Sequence, residues 1–215
     1  MPKILASKWT KAAVFLVCLA PAGYLLALGR LEYRAQVQGI GQPGNLTGDP
    51  IKYITHFTGD WTLRFLLLTL AVTPLRKLLN QPQLARYRRM IGLYAFFYGC
   101  VHLMIWMGLD KEFAGAELWK DILERWYITV GMASLLGMLP LAVTSTAGWI
   151  RRMGFVKWQR LHRLVYGCAA LGVIHYYLLV KSDIRLPLLY GAILAVLLSY
   201  RFAVRMRKAG AVAAR

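Results

Sequence analysis

The sequence predicts an all-α membrane protein, a six-transmembrane-helix bundle with both termini in the cytoplasm. Three observations carry that expectation. Of 215 residues, 58% are hydrophobic and 17% charged, more apolar and less charged than a soluble domain of this length. Residues 90–109 and 126–150 hold no Asp, Glu, Lys or Arg, and stretches of about twenty such residues cross a bilayer core. The 27 Lys and Arg outnumber the 9 Asp and Glu, and the two sets fall in alternate loops.

The chain reads as a single domain over 1–215, with spans at about 12–29, 54–75, 90–109, 126–147, 162–180 and 184–202. The first span contains Pro21 and Gly23, which membrane helices tolerate where neighbours satisfy the freed backbone groups. The loop after it ends GIGQPGNLTGDP, an irregular surface segment by its Gly and Pro content. In the second span, Asp60 and Arg64 lie at i and i+4, where a helix lets them neutralise one another. The third span begins at Met90 after RYRRM. The segment that follows it, DKEFAGAELWKDILER, alternates charge at near-helical spacing and predicts a short amphipathic helix at the membrane surface. In the fourth span, Gly131, Ala133, Ser134 and Gly137 suit close helix packing. Trp149 and Trp158, on the loop into the fifth span, are placed as interfacial anchors. There is no internal repeat, and no room for a nucleotide-binding module.

Lys3, Lys8, Lys11, the arginines from Arg76 to Arg89, those from Arg151 to Arg163 and those of the tail share one side, with no acid among them. Eight of the nine acids lie in the opposite loops, and the ninth is Asp60. Basic residues stay in the cytoplasm, so the net charge of +18 needs no nucleic-acid partner. A signal-peptide reading of the N-terminus fails, because no A-x-A-like cleavage site follows the apolar run. Cys18, Cys100 and Cys168 all lie within spans without a CxxC pair, which suits small packing residues, not disulfides or zinc ligands.

Four histidines carry the chemistry. A histidine at membrane depth is costly without a partner and is a functional candidate by default. At 1.5 Å rise per residue, His102 on the third span and His175 on the fifth sit roughly 10 and 8 Å below the outer boundary. Matched depth on two helices is the geometry of a cofactor site in a bundle core. Zinc would want three or four ligands, whereas haem needs only axial ones and an apolar pocket. Tyr94, Phe97, Tyr98, Trp106, Tyr166, Tyr176 and Tyr177 are available as walls. A b-type haem ligated through iron by His102 and His175 is the leading reading, with interhelical hydrogen bonding and a proton relay as alternatives. His162 is expected on the same helix as His175, about 20 Å away at the inner boundary. There a snorkelling histidine stands against a ligand or a contact to quinone or flavin. His56, in HFTGD, is a candidate to ligate, to bond a haem propionate or to cap its helix. Arg64 pairs with Asp60 or a propionate.

Three segments together resemble one family. They are DPIKYITHFTGDWTLRFLLLTLAVTPL, RYRRMIGLYAFFYGCVHL and TSTAGWIRRMGFVKWQRLHRLVYGCAALGVIHYYLLVKS. The combination is similar to the MsrQ/YedZ family, the haem-binding membrane subunit of the periplasmic protein-methionine-sulfoxide reductase system, in the ferric-reductase-like transmembrane group. The resemblance implies a haem b subunit of the bacterial inner membrane. It would pass electrons from the quinone pool or a cytoplasmic flavin reductase to a periplasmic molybdopterin-dependent reductase that repairs oxidised proteins. Substrate chemistry would then sit in the partner subunit. FMN is implied by the family alone. Position by position, His102, His162 and His175 match the family's haem-associated histidines, and His56 matches its HFTG motif. The related NADPH oxidase pattern has two histidines on the third span. This chain has one, so a second haem stays open. The other readings are a stand-alone ferric or oxygen reductase and a non-redox transporter or assembly factor.

Overall fold

A computed structural model describes residues 7–38 and 48–213. Residues 39–47, most of the predicted irregular outer loop, lie outside the described residues, as do Lys3 and Arg215. All regular structure among the described residues is helical. The helices are α1 (Lys8–Val37), α2 (Pro50–Leu78), α3 (Arg88–Ile105), α4 (Gly115–Glu124), α5 (Trp126–Val143), α6 (Ala147–Met153), α7 (Phe155–Leu161), α8 (Leu164–Leu179) and α9 (Arg185–Ala213). A 3-10 turn (Pro82–Arg86) precedes α3, and a wider π turn (Trp106–Asp110) extends it.

Each predicted span overlaps a helix. Four are long and apolar enough to cross a membrane: Lys8–Ala35, Pro82–Asp110, Trp126–Val143 and Arg185–Arg207. The other two differ for physical reasons. Helix α2 has 29 residues, but Asp60, Arg64 and several threonines dilute its apolar character. Helix α8 is apolar but has only 16 residues, about 24 Å of helix against a hydrocarbon core of about 30 Å. The predicted amphipathic segment is α4, whose Asp121 pairs with Lys111 at 2.9 Å and Arg125 at 3.1 Å. Trp119 and Trp126 stand 64% and 79% exposed beside it, as interfacial aromatics do.

One expectation is corrected. His162 and His175 do not share a helix, because α7 ends at Leu161, His162 caps it, and α8 begins at Leu164. The short helices α6 and α7 meet at Gly154, whose φ of +76° favours a residue without Cβ.

The core is built from two tightly associated helix pairs, α2 with α3 and α5 with α8, flanked by α9 and α1. The α5–α8 seam rests on small residues, as the sequence predicted. Ser134 Oγ donates to the Cys168 carbonyl at 2.8 Å, and a Cβ on Gly137 would come within 2.8 Å of Cys168 Sγ. Two prolines show how membrane-depth backbone is satisfied. Pro74 has no N–H to give the Leu70 carbonyl, and Arg201 Nη2 donates to that carbonyl at 2.7 Å instead. Beside Pro21, the fully buried Tyr98 hydroxyl accepts from Ala22 N–H and donates to the Cys18 carbonyl, both at 3.0 Å. A side chain thus inserts into the helical ladder and ties α1 to α3.

Candidate functional site

A cavity of about 390 Å³ opens between the two helix pairs at the end of the bundle where α2 begins and α3 ends. Its volume lies in the range of small-molecule and cofactor sites. His102 from α3, His175 from α8 and His56 from α2 all line it, together with Asp60. The imidazoles of His102 and His175 stand with ring centres 6.2 Å apart and planes at 81°.

Each of these two rings is held in the same way by the partner helix of its own pair. His102 Nδ1 donates to the Thr55 carbonyl of α2 at 2.9 Å, and His175 Nδ1 donates to the Tyr127 carbonyl of α5 at 2.6 Å. A neutral imidazole with its Nδ1 proton committed keeps the Nε2 lone pair for a metal, and such carbonyl partners fix ring orientation. Two imidazoles that share one metal through bonds of about 2 Å hold their ring centres about 6 Å apart.

Glycines make these bonds geometrically possible. Four residues after Thr55 stands Gly59, and four after Tyr127 stands Gly131, so each glycine sits one helical turn past the carbonyl that receives the imidazole. A Cβ on Gly131 would meet His175 Nδ1 at 2.6 Å, and one on Gly59 would meet His102 Nδ1 at 3.2 Å. The bare turn lets the ring reach the carbonyl. The sequence marks Gly131 as a packing residue and gives Gly59 no role. The signal was present as a spacing of four between each glycine and the residue whose carbonyl is used.

The remaining histidine stands apart. His162 stacks on Trp158 with centroids 4.0 Å apart, and its Nδ1 bonds the Trp158 carbonyl within its own short helix at 3.1 Å. Its Nε2 is buried without a hydrogen-bond partner among the described residues. It does not line the cavity that holds the other three. Trp158 in turn donates to the Thr144 carbonyl at 2.9 Å, so the predicted anchor also closes the end of α5.

The predicted aromatic walls are largely replaced by aliphatic ones. Of the seven candidates only Trp106 and Tyr176 line the cavity, beside Leu63, Leu66, Leu103, Ile128, Met132 and Met138. Tyr94 and Tyr98 bind α1, with Tyr94 donating to the Phe15 carbonyl at 3.0 Å. Phe97 and Tyr177 are exposed, and Tyr166 receives Arg201. Arg64 lies 3.6 Å from Asp60 and donates to the Tyr190 hydroxyl at 2.9 Å, so the pairing with Asp60 is present.

Among the described residues no three His, Cys, Asp or Glu side chains gather as a metal cluster. Two imidazoles with ring centres 6.2 Å apart and each Nδ1 on a carbonyl, in a largely apolar slot, suit a metal that brings ligands of its own. Haem fits that description, and His102 and His175 are the residues that would hold it.

Comparison with known proteins gives a consistent result. Residues 58–173 match the Ferric reductase like transmembrane component family. The chain is 48% identical over 202 residues to the protein-methionine-sulfoxide reductase heme-binding subunit MsrQ of Rhodospirillum rubrum, covering 93% of this chain and 91% of that one. The MsrQ of Caulobacter vibrioides is 46% identical over 188 residues, 87% of this chain and 84% of its own. That of Xanthomonas oryzae pv. oryzae is 54% identical over 156 residues, 73% and 71% respectively.

Proposed function

We propose, because the chain belongs to the MsrQ family of ferric-reductase-like transmembrane proteins, that it is the haem b electron-transfer subunit of a methionine-sulfoxide reductase system. The two imidazoles with ring centres 6.2 Å apart, each with Nδ1 on a carbonyl of its partner helix, carry the reading. His102 and His175 would hold the haem iron. Haem, when bound, supplies one-electron redox chemistry that the side chains lack.

The chain's own residues do the rest. The Thr55 and Tyr127 carbonyls hold both rings in the Nδ1–H tautomer. The aliphatic lining limits water around the slot, and its polarity tunes the potential. Asp60, with Arg64 and Tyr190 behind it, shares the polar part of the lining with Asp49, Lys52 and Asp110. His56, on the same wall, is positioned to bond a polar substituent of the cofactor.

The topology that accompanies this reading has six spans in the bacterial inner membrane with both termini cytoplasmic. The turn at His162 and Arg163 would extend α8 to the inner boundary. Electrons would arrive from the quinone pool or a cytoplasmic flavin reductase at the end that carries His162. They would leave toward a periplasmic molybdopterin-dependent partner, where methionine sulfoxide is reduced, with the segments at 30–52 and 110–125 as the docking side. FMN, attributed to the family, has no motif here that fixes its position. The test is pyridine-haemochrome quantitation per polypeptide for the purified protein and its four single His→Ala variants. A dithionite-reducible b-type spectrum is expected, and its absence from the parent protein refutes the reading. Retention of full haem in both His102→Ala and His175→Ala moves the ligands to His56 and His162.

A further inference from the structure

The end of the bundle opposite the cavity carries arginines that no acid among the described residues pairs. Arg76 ends α2, Arg88 begins α3, and Arg201 lies on α9. All three are half-buried. Arg88 is within electrostatic reach of Arg201, of Arg76 and of the Tyr166 hydroxyl. None of the nine acids falls in the segments around these arginines, and the ion pairs among the described residues use Asp60, Asp121 and Asp183. Like charges brought together away from bulk water repel strongly.

Among the described residues, the acceptors that fix Arg201 are neutral. Nη1 donates to Tyr166 Oη at 2.8 Å and Nη2 to the Leu70 carbonyl at 2.7 Å, and the guanidinium lies 5.1 Å from the Tyr166 ring centre. Its Nε is buried with no partner among the described residues. A guanidinium held rigidly by neutral acceptors keeps an uncompensated positive charge, and phosphate is a usual complement to arginine. Basic pockets between helices at the cytoplasmic face take phospholipid headgroups. The neighbourhood is also apolar, since Leu75, Leu78 and Phe202 on the same helices are exposed, as acyl chains require.

We propose that Arg76, Arg88 and Arg201 form a site for the phosphate of an anionic phospholipid at the inner end of the bundle, where α2, α3 and α9 converge. The lipid supplies a counter-charge to these arginines and ties the peripheral α9 to the α2–α3 pair. The site is independent of the haem assignment.

The experiment uses the full-length protein purified in mild detergent. It measures phospholipid retained per chain and the thermal midpoint with added phosphatidylglycerol, phosphatidylethanolamine, inorganic phosphate or FMN. The parent protein should retain phosphatidylglycerol stoichiometrically and be stabilised by it in preference to phosphatidylethanolamine. Arg88→Gln, which leaves the Arg201 hydrogen bonds in place, should weaken retention about tenfold. Arg88→Lys should recover part of the loss. Arg152→Gln, which removes the same charge from α6, should behave as the parent does. Circular dichroism establishes that each variant is folded. Equal retention by the parent and Arg88→Gln overturns the proposal, and equal stabilisation by inorganic phosphate or FMN overturns the assignment to lipid.

Discussion

The two ends of the bundle use histidine in opposite ways. At the cavity end, His102 and His175 each reach across to a carbonyl of a neighbouring long helix, and their rings meet at 6.2 Å. At the other end, His162 bonds a carbonyl of its own short helix and stacks at 4.0 Å on Trp158. Ring chemistry is the same for all three residues, and depth already sets His162 at the inner boundary apart from the matched pair. The structure adds a second difference, a glycine one turn beyond the accepting carbonyl. Gly59 and Gly131 bare a turn of helix to the imidazole, whereas the turn beside His162 carries a tryptophan that occupies one face of the ring. A buried histidine thus becomes a matched ligand candidate when a neighbouring helix both accepts its Nδ1 proton and makes room for the ring.

The largest expected effect tests that contrast directly. His102→Ala or His175→Ala should abolish most of the b-type absorption, while His162→Ala should leave the cavity-end signal in place. Haem quantitation on membranes reads both. Should His162→Ala remove as much haem as His175→Ala, the two ends are equivalent and the contrast is broken.

Next come the glycines. Gly131→Ala places a methyl 2.6 Å from His175 Nδ1, closer than such atoms approach, so the ring must leave the Tyr127 carbonyl. Loss of an outer-sphere partner of this kind lowers metal affinity about 10–100-fold, and haem titration of the apoprotein should show a decrease in that range. Gly59→Ala meets His102 at 3.2 Å, a contact that a small shift relieves. It should cost less affinity and move the reduction potential more than the occupancy, as redox titration would register. A larger loss from Gly59→Ala than from Gly131→Ala would reverse the order of the two cradles.

A smaller effect belongs to the seam beneath the site. Ser134→Ala removes the bond to the Cys168 carbonyl. Interhelical hydrogen bonds in membranes average about 0.6 kcal/mol, so the thermal midpoint should fall slightly with the haem spectrum unchanged. A spectral change would mean that the α5–α8 spacing itself sets the iron environment.

Asp121→Asn should have the smallest effect on the site. It weakens the pairs with Lys111 and Arg125 and should loosen α4 to proteolysis, with full haem retained. The same hydrogen bond to Asp121 holds the Lys111 ammonium above its ordinary range. That contribution is complete below the usual lysine pKa and fades as pH rises through the raised folded value. Proteolytic resistance of α4 should therefore decline only in strong alkali, and a decline at neutral pH would point to another group.

Much of the architecture could be read from the chain because it depends on one-dimensional properties. Apolar run length marked the helices, and residue position along a helix, at a fixed rise, matched His102 to His175. Small residues in α5 announced its close approach to α8. Other features depended on rotation about the helix axis and on what the neighbour presents there. The aromatic residues expected as cavity walls turned to α1, to the outer surface or to Arg201, because packing against a third helix decides which face a ring takes. The continuous helix expected from His162 to His175 broke at His162 and Arg163, where α7 meets the bundle and Trp158 caps the end of α5.

The sequence by itself determined that this is a helical membrane protein, with its basic residues segregated from its acids and two histidines at matched depth. Composition, length and charge position suffice for those conclusions, since the bilayer imposes thickness and the positive-inside bias on any chain. Only the tertiary structure decided which carbonyl orients each imidazole, which glycines admit them and which arginines find no acid among the described residues. Those outcomes rest on contacts of about 3 Å between residues far apart in the chain, and no local pattern specifies distances of that kind.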